Sequence, residues 1–454
     1  MTTAILFSKC LGLNNTRAFS TQRTHANTGR TELIDCLNMT TTPDACLEKI
    51  APMVPVLTHT APVTNISAGT RFLFQDGVNT NEWDGTTVTN RFPAKTGAIA
   101  HTLLDVRVSG FKSTNPAGAM AAAVVGVYTG PAVQKPFSAM PLFSRAFIYN
   151  GILYAVNAAD PRFIHHSEDF SSDLFNPADN QIGSPTPVLQ AGTIPGVMLT
   201  AHADGVTVLS GMNPRDGFAR KFYPCSFING TLFSGLTSKA VGSYGDINDR
   251  AVEYNHVFLC DDGVYVVGQD GVPLNVTASQ VSGFKAMNTA YTCATVRDGK
   301  YLAFGDTLAI EYDFTTKTCL KRSSFGVKAA TIWNGGNYYA SGSTVAMMGS
   351  EIDTGAIPCS LTLPYSDLGA PGTKSIEALY FTGIIGGEVI FTATDQTGKQ
   401  WETMVDDLGT VTGYRIKTPK GILGNLVSFK IECVSGAFRM EELRCIMAAG
   451  KRSS

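Results

Sequence analysis

The sequence predicts an all-β fold: an irregular β-propeller with an extended N-terminal arm before it and a C-terminal β-sandwich after it. Three observations predict this. Asn-Gly and Asp-Gly pairs recur between short β-branched and aromatic runs, and such pairs readily supply the two positive-φ positions of a type I′ hairpin turn. The chain is turn-rich and charge-poor, with 45 glycines in 454 residues and 16% charged residues, where an ordinary soluble domain has about 25%. After residue 360 the hairpin pattern gives way to longer alternation: Val427, Phe429, Ile431 and Cys433 share one face of a strand, and Lys430 and Glu432 take the other.

The first segment, 1–65, is Thr- and Asn-rich (NNTRAFSTQRTHANTGR) and lacks a core pattern of its own. It reads as an extended arm that packs on the body or on a neighbouring subunit. One helix is predicted in it, over TTPDACLEKI (41–50). Thr41 or Thr42 would cap that helix, Pro43 suits its first turn, and Asp44 and Glu48 lie near its positive end.

The second segment, 66–360, carries the hairpins. They are RFLFQDGVNTNEWDGTTV (71–88), AFIYNGILYAV (146–156), LTAHADGVTVLSG (199–211), SFINGTLFSG (226–235), VFLCDDGVYVVGQDG (257–271), ATVRDGKYLAFGDTLAIEYD (294–313) and ATIWNGGNYYASGSTVAMM (330–348). A hairpin followed by a second turn and a further strand is the unit of a propeller blade. Gly263, Gly299 and Gly335 are spaced by 36 residues, but Gly205 to Gly263 is 58, Gly151 to Gly205 is 54 and Gly77 to Gly151 is 74. Regular propeller repeats run about 40–50 residues, so the array is degenerate, with Gly/Pro/Ala-rich inserts at 107–140 and 171–198. Long inserts of this kind are usually functional or ordered by a partner. A series of β-sandwiches or a β-solenoid would produce similar signals.

The third segment, 361–454, opens on a linker, LTLPYSDLGAPGTKS, and continues as a separate sandwich of six to eight strands over 373–448, with a polar tail.

Charge and cysteine usage narrow the function classes. The net charge is −2, and no Lys/Arg cluster occurs beyond Lys451-Arg452, which argues against base readout and is compatible with passage of DNA that is not gripped. The ten cysteines are scattered singly with no CxxC pair, so neither a zinc knuckle nor a disulfide framework is indicated. Buried, reduced thiols and folding in a reducing cytoplasm are expected. MTTAILFSKCLGLNN does not read as a signal peptide, and the longest apolar run, AGAMAAAVVGVY (117–128), falls short of the roughly 18 residues a membrane helix needs.

The most suggestive polar stretch is FIHHSEDFSSDLF (163–175). His165 and His166 are adjacent, so on a strand they point to opposite faces. Glu168 shares a face with His166 alone, and this is half a metal site at most. Turn and capping chemistry, pinned by Phe163, Phe170 and Phe175, is the expected role. A glycosidase would need two facing carboxylates, and Asp204, Asp261, Asp262, Asp298 and Asp313 are available, but most stand at hairpin tips. TATDQTGKQW (392–401) approaches the Asp-box turn of sialidases, with Asp395 and Gly398 one residue too far apart. No Gly-x-Ser-x-Gly, Walker loop or strand-bound GxGxxG occurs, and Gly235-Leu-Thr-Ser-Lys and Gly242-Ser-Tyr-Gly lack the strand–turn–helix context of a nucleophile. Trp83, Trp333, Tyr338, Tyr339 and Trp401 are expected to pack between blades or in cores rather than to bind ligand. No catalytic, cofactor-binding or metal residue is nominated, and the chain is not expected to be an enzyme.

Several pieces, taken in order, carry a resemblance. They are CLGLNNTRA and TELIDCLNM; then FIHHSEDFSSDLFNPADNQI and VFLCDDGVYVVGQDGVPLNVTASQV; then KSIEALYFTG, GGEVIFTATDQTGKQWE and GYRIKTPKGILGNLVSFKIECVSGAFRMEELRCI. This succession resembles the propeller-bearing tail nozzle, or hub, proteins of short-tailed bacteriophages, over about residues 10 to 448. The resemblance implies a virion structural protein, assembled in the host cytoplasm as a homo-oligomeric ring, with six copies expected. The ring would extend the DNA channel below the portal and adaptor. Its partners would be portal or adaptor proteins, tail fibre or needle proteins, and double-stranded DNA passing without sequence readout. The alternative class is a surface propeller that binds or cleaves host carbohydrate.

Overall fold

The computed structural model describes residues 2–449 except 16–23, 26–29, 69–71, 94–98, 102–106, 110–111, 115–119, 123–125, 130–133, 138–142, 169–179, 239–252, 279, 356, 369–372 and 419–422. It is built almost wholly from strands, with one four-residue helix, Phe284–Met287, and one 3-10 turn among the described residues.

Seven small antiparallel sheets follow one another along the chain. They span 65–93, 99–122, 143–183, 190–224, 233–275, 291–323 and 327–348. A separate hairpin, Gly126–Thr129 with Gln134–Phe137, stands between the second and third. The first strand of each sheet packs beside the first strand of the next, and the seventh returns to the first. The sheets are therefore the blades of a closed seven-bladed propeller. The hydrophobic clusters lie between blades rather than within them. One joins blades three and four through Tyr154, Ile164, Met198 and Leu209. Another joins four and five through Leu199, Val206, Phe258 and Val267.

Blade seven takes only three strands from its own stretch. Its fourth is Met53–Thr58, antiparallel to Thr344–Met348. The circle thus closes with a strand that precedes the first blade. At this seam Phe72 and Trp83 of blade one meet Trp333 of blade seven, with ring centroids 5.6 and 5.4 Å from the Trp333 ring. Just past the closing strand, His59 Nε2 lies 3.0 Å from Asp76 Oδ2 in the first hairpin turn.

Two larger sheets make the sandwich. One holds Lys374–Ile385, Gly409–Lys417, Phe438–Ala449, Leu423–Gly424, Met39–Thr41, Leu47–Lys49 and Thr2–Phe7. The other holds Asp35–Leu37, Cys359–Thr362, Val389–Asp395, Gln400–Val405 and Val427–Cys433. The second does not stop there. Asp35–Leu37 also pairs with Thr318–Ser323, the outer strand of blade six, so one nine-stranded sheet runs from the propeller into the sandwich. A single core follows it, from Val257, Tyr301 and Ile310 through Cys36 and Met39 to Phe381 and Phe438.

This layout differs from the three successive segments read from the sequence. Residues 1–65 are not laid on the surface as an arm: most of their described strands belong to the two sandwich sheets and to blade seven, and Lys9–Leu13, Thr24–His25 and Arg30–Leu33 form a small sheet of their own. The C-terminal sandwich is accordingly incomplete without them. The helix expected over 41–50 is a hairpin, with Met39–Thr41 paired to Leu47–Lys49. Thr42 Oγ1 does accept a backbone N–H, but from Cys46 across a turn in which Ala45 has φ 62°. A ten-residue helix is marginal on its own, and burying Met39 and Leu47 in the shared core decides against it.

Candidate functional site

The most elaborate polar site lies where blade six meets the sandwich. Strands Lys300–Gly305, Leu308–Asp313 and Thr318–Ser323 of that blade direct Lys300, Glu311, Asp313 and Arg322 toward the Met39–Thr41 strand. Glu311 and Arg322 are 1% and 3% exposed, an uncommon burial for charged side chains. Arg322 Nη1 donates to Glu311 Oε2 at 2.8 Å. The other carboxylate oxygen of Glu311 accepts from Thr40 Oγ1 and faces Lys300 Nζ at 3.6 Å. Lys300 also donates to Thr40 Oγ1 and to the carbonyl of Thr41. Asp313 Oδ2 accepts from Thr41 Oγ1 at 2.8 Å, and its Oδ1 accepts from the N–H groups of Thr315 and Thr316 at 2.8 and 3.1 Å.

A cavity of about 190 Å³ opens beside this network, lined among others by Thr40, Glu48, Lys300, Glu311, Arg322 and Met348. Arg322 Nε is buried there without a protein partner, and its Nη2 lies 3.2 Å from Met348 Sδ. The Glu48 carboxyl is held above its ordinary range, chiefly by burial, although the cations of Arg439 and Lys300 oppose that shift.

Two further locks stand at the same junction, one holding the 353–355 link to the sandwich and one reaching blade six. Lys49 Nζ, with a fully buried side chain, contacts Asp353 Oδ2 at 2.8 Å and donates to the carbonyls of Gly355 and Gly436, both at 2.9 Å. Burial raises the Asp353 carboxyl, but Lys49 and the N–H groups of Gly355 and Ile357 outweigh it and hold it below the ordinary range. Asn38, in the left-handed region at φ 57°, donates to Pro358 O at 2.7 Å and accepts from Ser323 N at 2.6 Å. Every carboxylate oxygen of Glu311 and Asp313 is thus committed to a protein donor. The arrangement clamps two bodies together.

The residues singled out from the sequence lie elsewhere. His165 and His166 sit in the third strand of blade three, opposite Ala155 and Tyr154, on opposite faces as expected. His165 Nε2 is 3.1 Å from Asn157 Nδ2, and His166 Nδ1 is 3.0 Å from Ser167 O. Burial, then the neighbouring His166, lowers the His165 imidazole below its ordinary value. Glu168 pairs with Arg215 of blade four and accepts from Asn180 Nδ2 at 3.1 Å. The stretch is a blade strand whose polar end ties two blades; Phe170 and Phe175 lie outside the described residues. Gly235-Leu-Thr-Ser runs along the first strand of blade five, and Gly242-Ser-Tyr-Gly lies outside the described residues.

The five aspartates do not converge into a facing pair. Asp204 bonds through its backbone to Cys225 N, Asp261 Oδ1 accepts from Lys285 N, Asp262 Oδ2 accepts from Tyr265 Oη, Asp298 pairs with Arg297, and Asp313 joins the clamp. Asp395 closes its own turn, accepting from the N–H of Thr397 at 2.8 Å and of Lys399 at 3.0 Å, and Trp401 is buried beyond it. Trp83, Trp333 and Tyr338 pack edge-on or tilted against one another at the seam, and Tyr339 is fully buried between blades six and seven. Sequence reasoning missed Thr40, Lys300, Glu311 and Arg322. Their trace was a charge set inside an apolar strand, as in LAIEYD and TCLKRS.

No protein-family model matches the chain, and no curated protein matches it. Among solved structures it is similar to PorZ, an essential bacterial surface component of the type-IX secretion system of Porphyromonas gingivalis, at 12% identity and a TM-score of 0.40 over 69% of this chain. The chain spans only 42% of the length of that protein. It is also similar to the WD40 β-propeller domain of Doa1 (10% identity, TM-score 0.38, 67% of this chain and 97% of that one). The exo-β-1,3-galactanase of Phanerochaete chrysosporium is a third (11% identity, TM-score 0.28, 73% and 98%).

Proposed function

We propose that this chain is a virion structural protein of a bacteriophage tail: a subunit of the nozzle or hub ring below the portal and adaptor. Its work is mechanical. It holds the channel, connects tail parts, and lets double-stranded DNA pass during genome retention and ejection. The observation that carries this reading is the continuity between its two bodies. A nine-stranded sheet, a shared core and three buried locks join propeller to sandwich, so force applied to one body is transmitted to the other without a hinge. The near-neutral charge is compatible with a channel through which DNA slides without counterion-release binding. The ring is a homo-oligomer of six copies closed by head-to-tail contacts, attached to portal or adaptor on one side and to fibre or needle proteins on the other. It is assembled in the host cytoplasm and resides in the tail of the virion.

Mass photometry and negative-stain microscopy of the purified chain test this. Closed rings with an axial opening are the expected result. A chain that stays monomeric at tens of micromolar alone and with portal and adaptor proteins, or one that cleaves polysaccharide with loss on mutating loop carboxylates, overturns it.

A further inference from the structure

We propose that the outer edge of blade four is a docking site for an extended partner segment that alternates apolar and acidic side chains. The strand is Ala219–Pro224, last in its blade, and five of its six residues are exposed. Ser210, Val208 and Val206 face Ala219, Lys221 and Tyr223 across the ladder, and Cys225 N continues the same bonding row to Asp204 O. Antiparallel bonding alternates along a strand, so the N–H and C=O of Arg220 and Phe222 point away from the blade. Pro224, which has no N–H, ends the edge.

The two faces of this strand look into two different clefts. On the face of Arg220 and Phe222 lies an apolar cleft of about 200 Å³ toward blade three, floored by Ile164, Ile182 and Leu209. On the face of Ala219, Lys221 and Tyr223 lies a cleft of about 360 Å³ toward the Asp270–Val272 turn of blade five. A strand added alongside would send successive side chains alternately into the two. One row would meet Ile164, Ile182 and the Phe222 ring, which is 46% exposed. The other row would meet Lys221.

Charge selects the second row. Among the described residues, neither Arg220 nor Lys221 has a carboxylate partner: Arg220 donates to Gly183 O at 2.8 Å, and Lys221 Nζ lies 4.8 Å from the Tyr223 ring centroid. Asp270 shares the cleft, but its Oδ1 accepts from Val272 N within its own turn, and nearby Arg215 is already taken by Glu168. Basic residues on an edge also serve to discourage aggregation. That role alone does not account for the exposed Phe222 or for a cleft on each face.

Four other outer blade strands suit such a partner less well. Met53–Thr58 contains Pro55, and Thr318–Ser323 is covered by Asp35–Leu37. Gln181–Gly183 and Pro273–Asn275 have three residues each. Among the outer strands of the blades whose side chains are described throughout, Ala219–Pro224 is the one that is long, open and free of internal proline.

The proposal is independent of ring assembly and is tested on the full chain by fluorescence anisotropy. The probe is a labelled hexapeptide alternating leucine and aspartate. It is expected to bind at least tenfold more tightly than a peptide with three leucines followed by three aspartates, and to weaken with salt. Lys221→Glu is expected to cost tenfold or more. Arg220→Pro, which removes an outward N–H, is expected to abolish binding, with circular dichroism as the folding control. N-methylation of the peptide backbone is expected to abolish binding with the protein untouched. Equal binding of both peptides, or binding indifferent to Lys221→Glu and to N-methylation, overturns the proposal. So does self-association of the chain that Lys221→Glu removes, which would assign the edge to a second copy instead.

Discussion

Thr41 Oγ1 donates to Asp313 Oδ2 at 2.8 Å although 272 residues separate them. The bond joins a hairpin of the sandwich to the tip of a propeller strand, and it stands beside the Lys300–Glu311–Arg322 network. Burying these charges costs solvation that their mutual attraction only partly returns, so the network secures geometry more than it adds stability.

Breaking the network from one side is therefore expected to be severe. Arg322→Met leaves Glu311 buried against Lys300 and Thr40 alone and is expected to cost about 3–5 kcal/mol. Glu311→Leu combined with Arg322→Met is expected to cost much less than the two singles together. Urea unfolding of the four chains in a double-mutant cycle measures the coupling, and a cycle near zero contradicts the clamp.

Acid sensitivity should trace in part to His256. It is fully buried, its Nδ1 lies 2.7 Å from Ser234 Oγ, and burial pushes its imidazole down to about 3. The unfolded chain takes up this proton near pH 6.5 and the folded chain does not. Its contribution is thus intact above pH 6.5 and is lost as pH falls toward 3, at about 1.4 kcal/mol per unit. His256→Gln is expected to lower the slope of stability against pH by one proton, read from urea midpoints between pH 6.5 and 4.5.

Two glycines with positive φ should respond differently to alanine. Gly335 has φ 78° with open space around a Cβ, so only backbone strain of about 1–2 kcal/mol is expected. Gly230 has φ 88°, and a Cβ there would land on the carbonyl of Tyr291 in blade six. Its substitution is expected to cost well over twice as much, because strain and a backbone collision add. Thermal melts of the two variants provide the comparison.

All ten cysteines are free thiols, and seven are buried. Burial pushes Cys10, Cys293, Cys319 and Cys445 up to about 12, which suppresses their thiolates at neutral pH. Cys225 is partly exposed, and a hydrogen bond from the Cys260 thiol lowers it. In the native protein a disulfide reagent should react first at Cys225, and Cys225→Ser should remove that fast phase. Ten reacting thiols are expected only after unfolding.

Local chemistry was legible where it acts locally. Asn150-Gly151, Asp298-Gly299 and Asn334-Gly335 each supply two positive-φ residues between paired strands, as their sequence announces. Asp204-Gly205 and Asp262-Gly263 look the same but are used otherwise. There the glycine opens the next strand, and it is small because Tyr223 and Asn275 of the neighbouring strand press against it. Blade number was hidden because the first strands of successive blades begin at 65, 99, 143, 190, 233, 291 and 327, with no fixed period. The N-terminal strands were hidden for another reason. Asp35–Leu37, Met39–Thr41 and Leu47–Lys49 have three residues each, too few to display a period, and beyond the short hairpin of the last two their sheet partners lie hundreds of residues away. The clamp shares that cause: Glu311 and Arg322 become a buried pair only once Thr40 arrives.

The pairing of Thr2–Phe7 with the final strand, register Thr2 to Met447, sets a timetable for synthesis. Strands made early are among the last to find partners. At about 5–20 residues per second, the interval between Thr2 and Met447 is on the order of 20–90 seconds. Until their partners are made, the closing strand of blade seven and the N-terminal strands of both sandwich sheets have exposed, unsatisfied edges. Blades one to six each take four consecutive strands and can form as they emerge. The nascent chain therefore passes through a stage in which most of a propeller is folded while its N-terminal strands must be kept from pairing with a neighbour's.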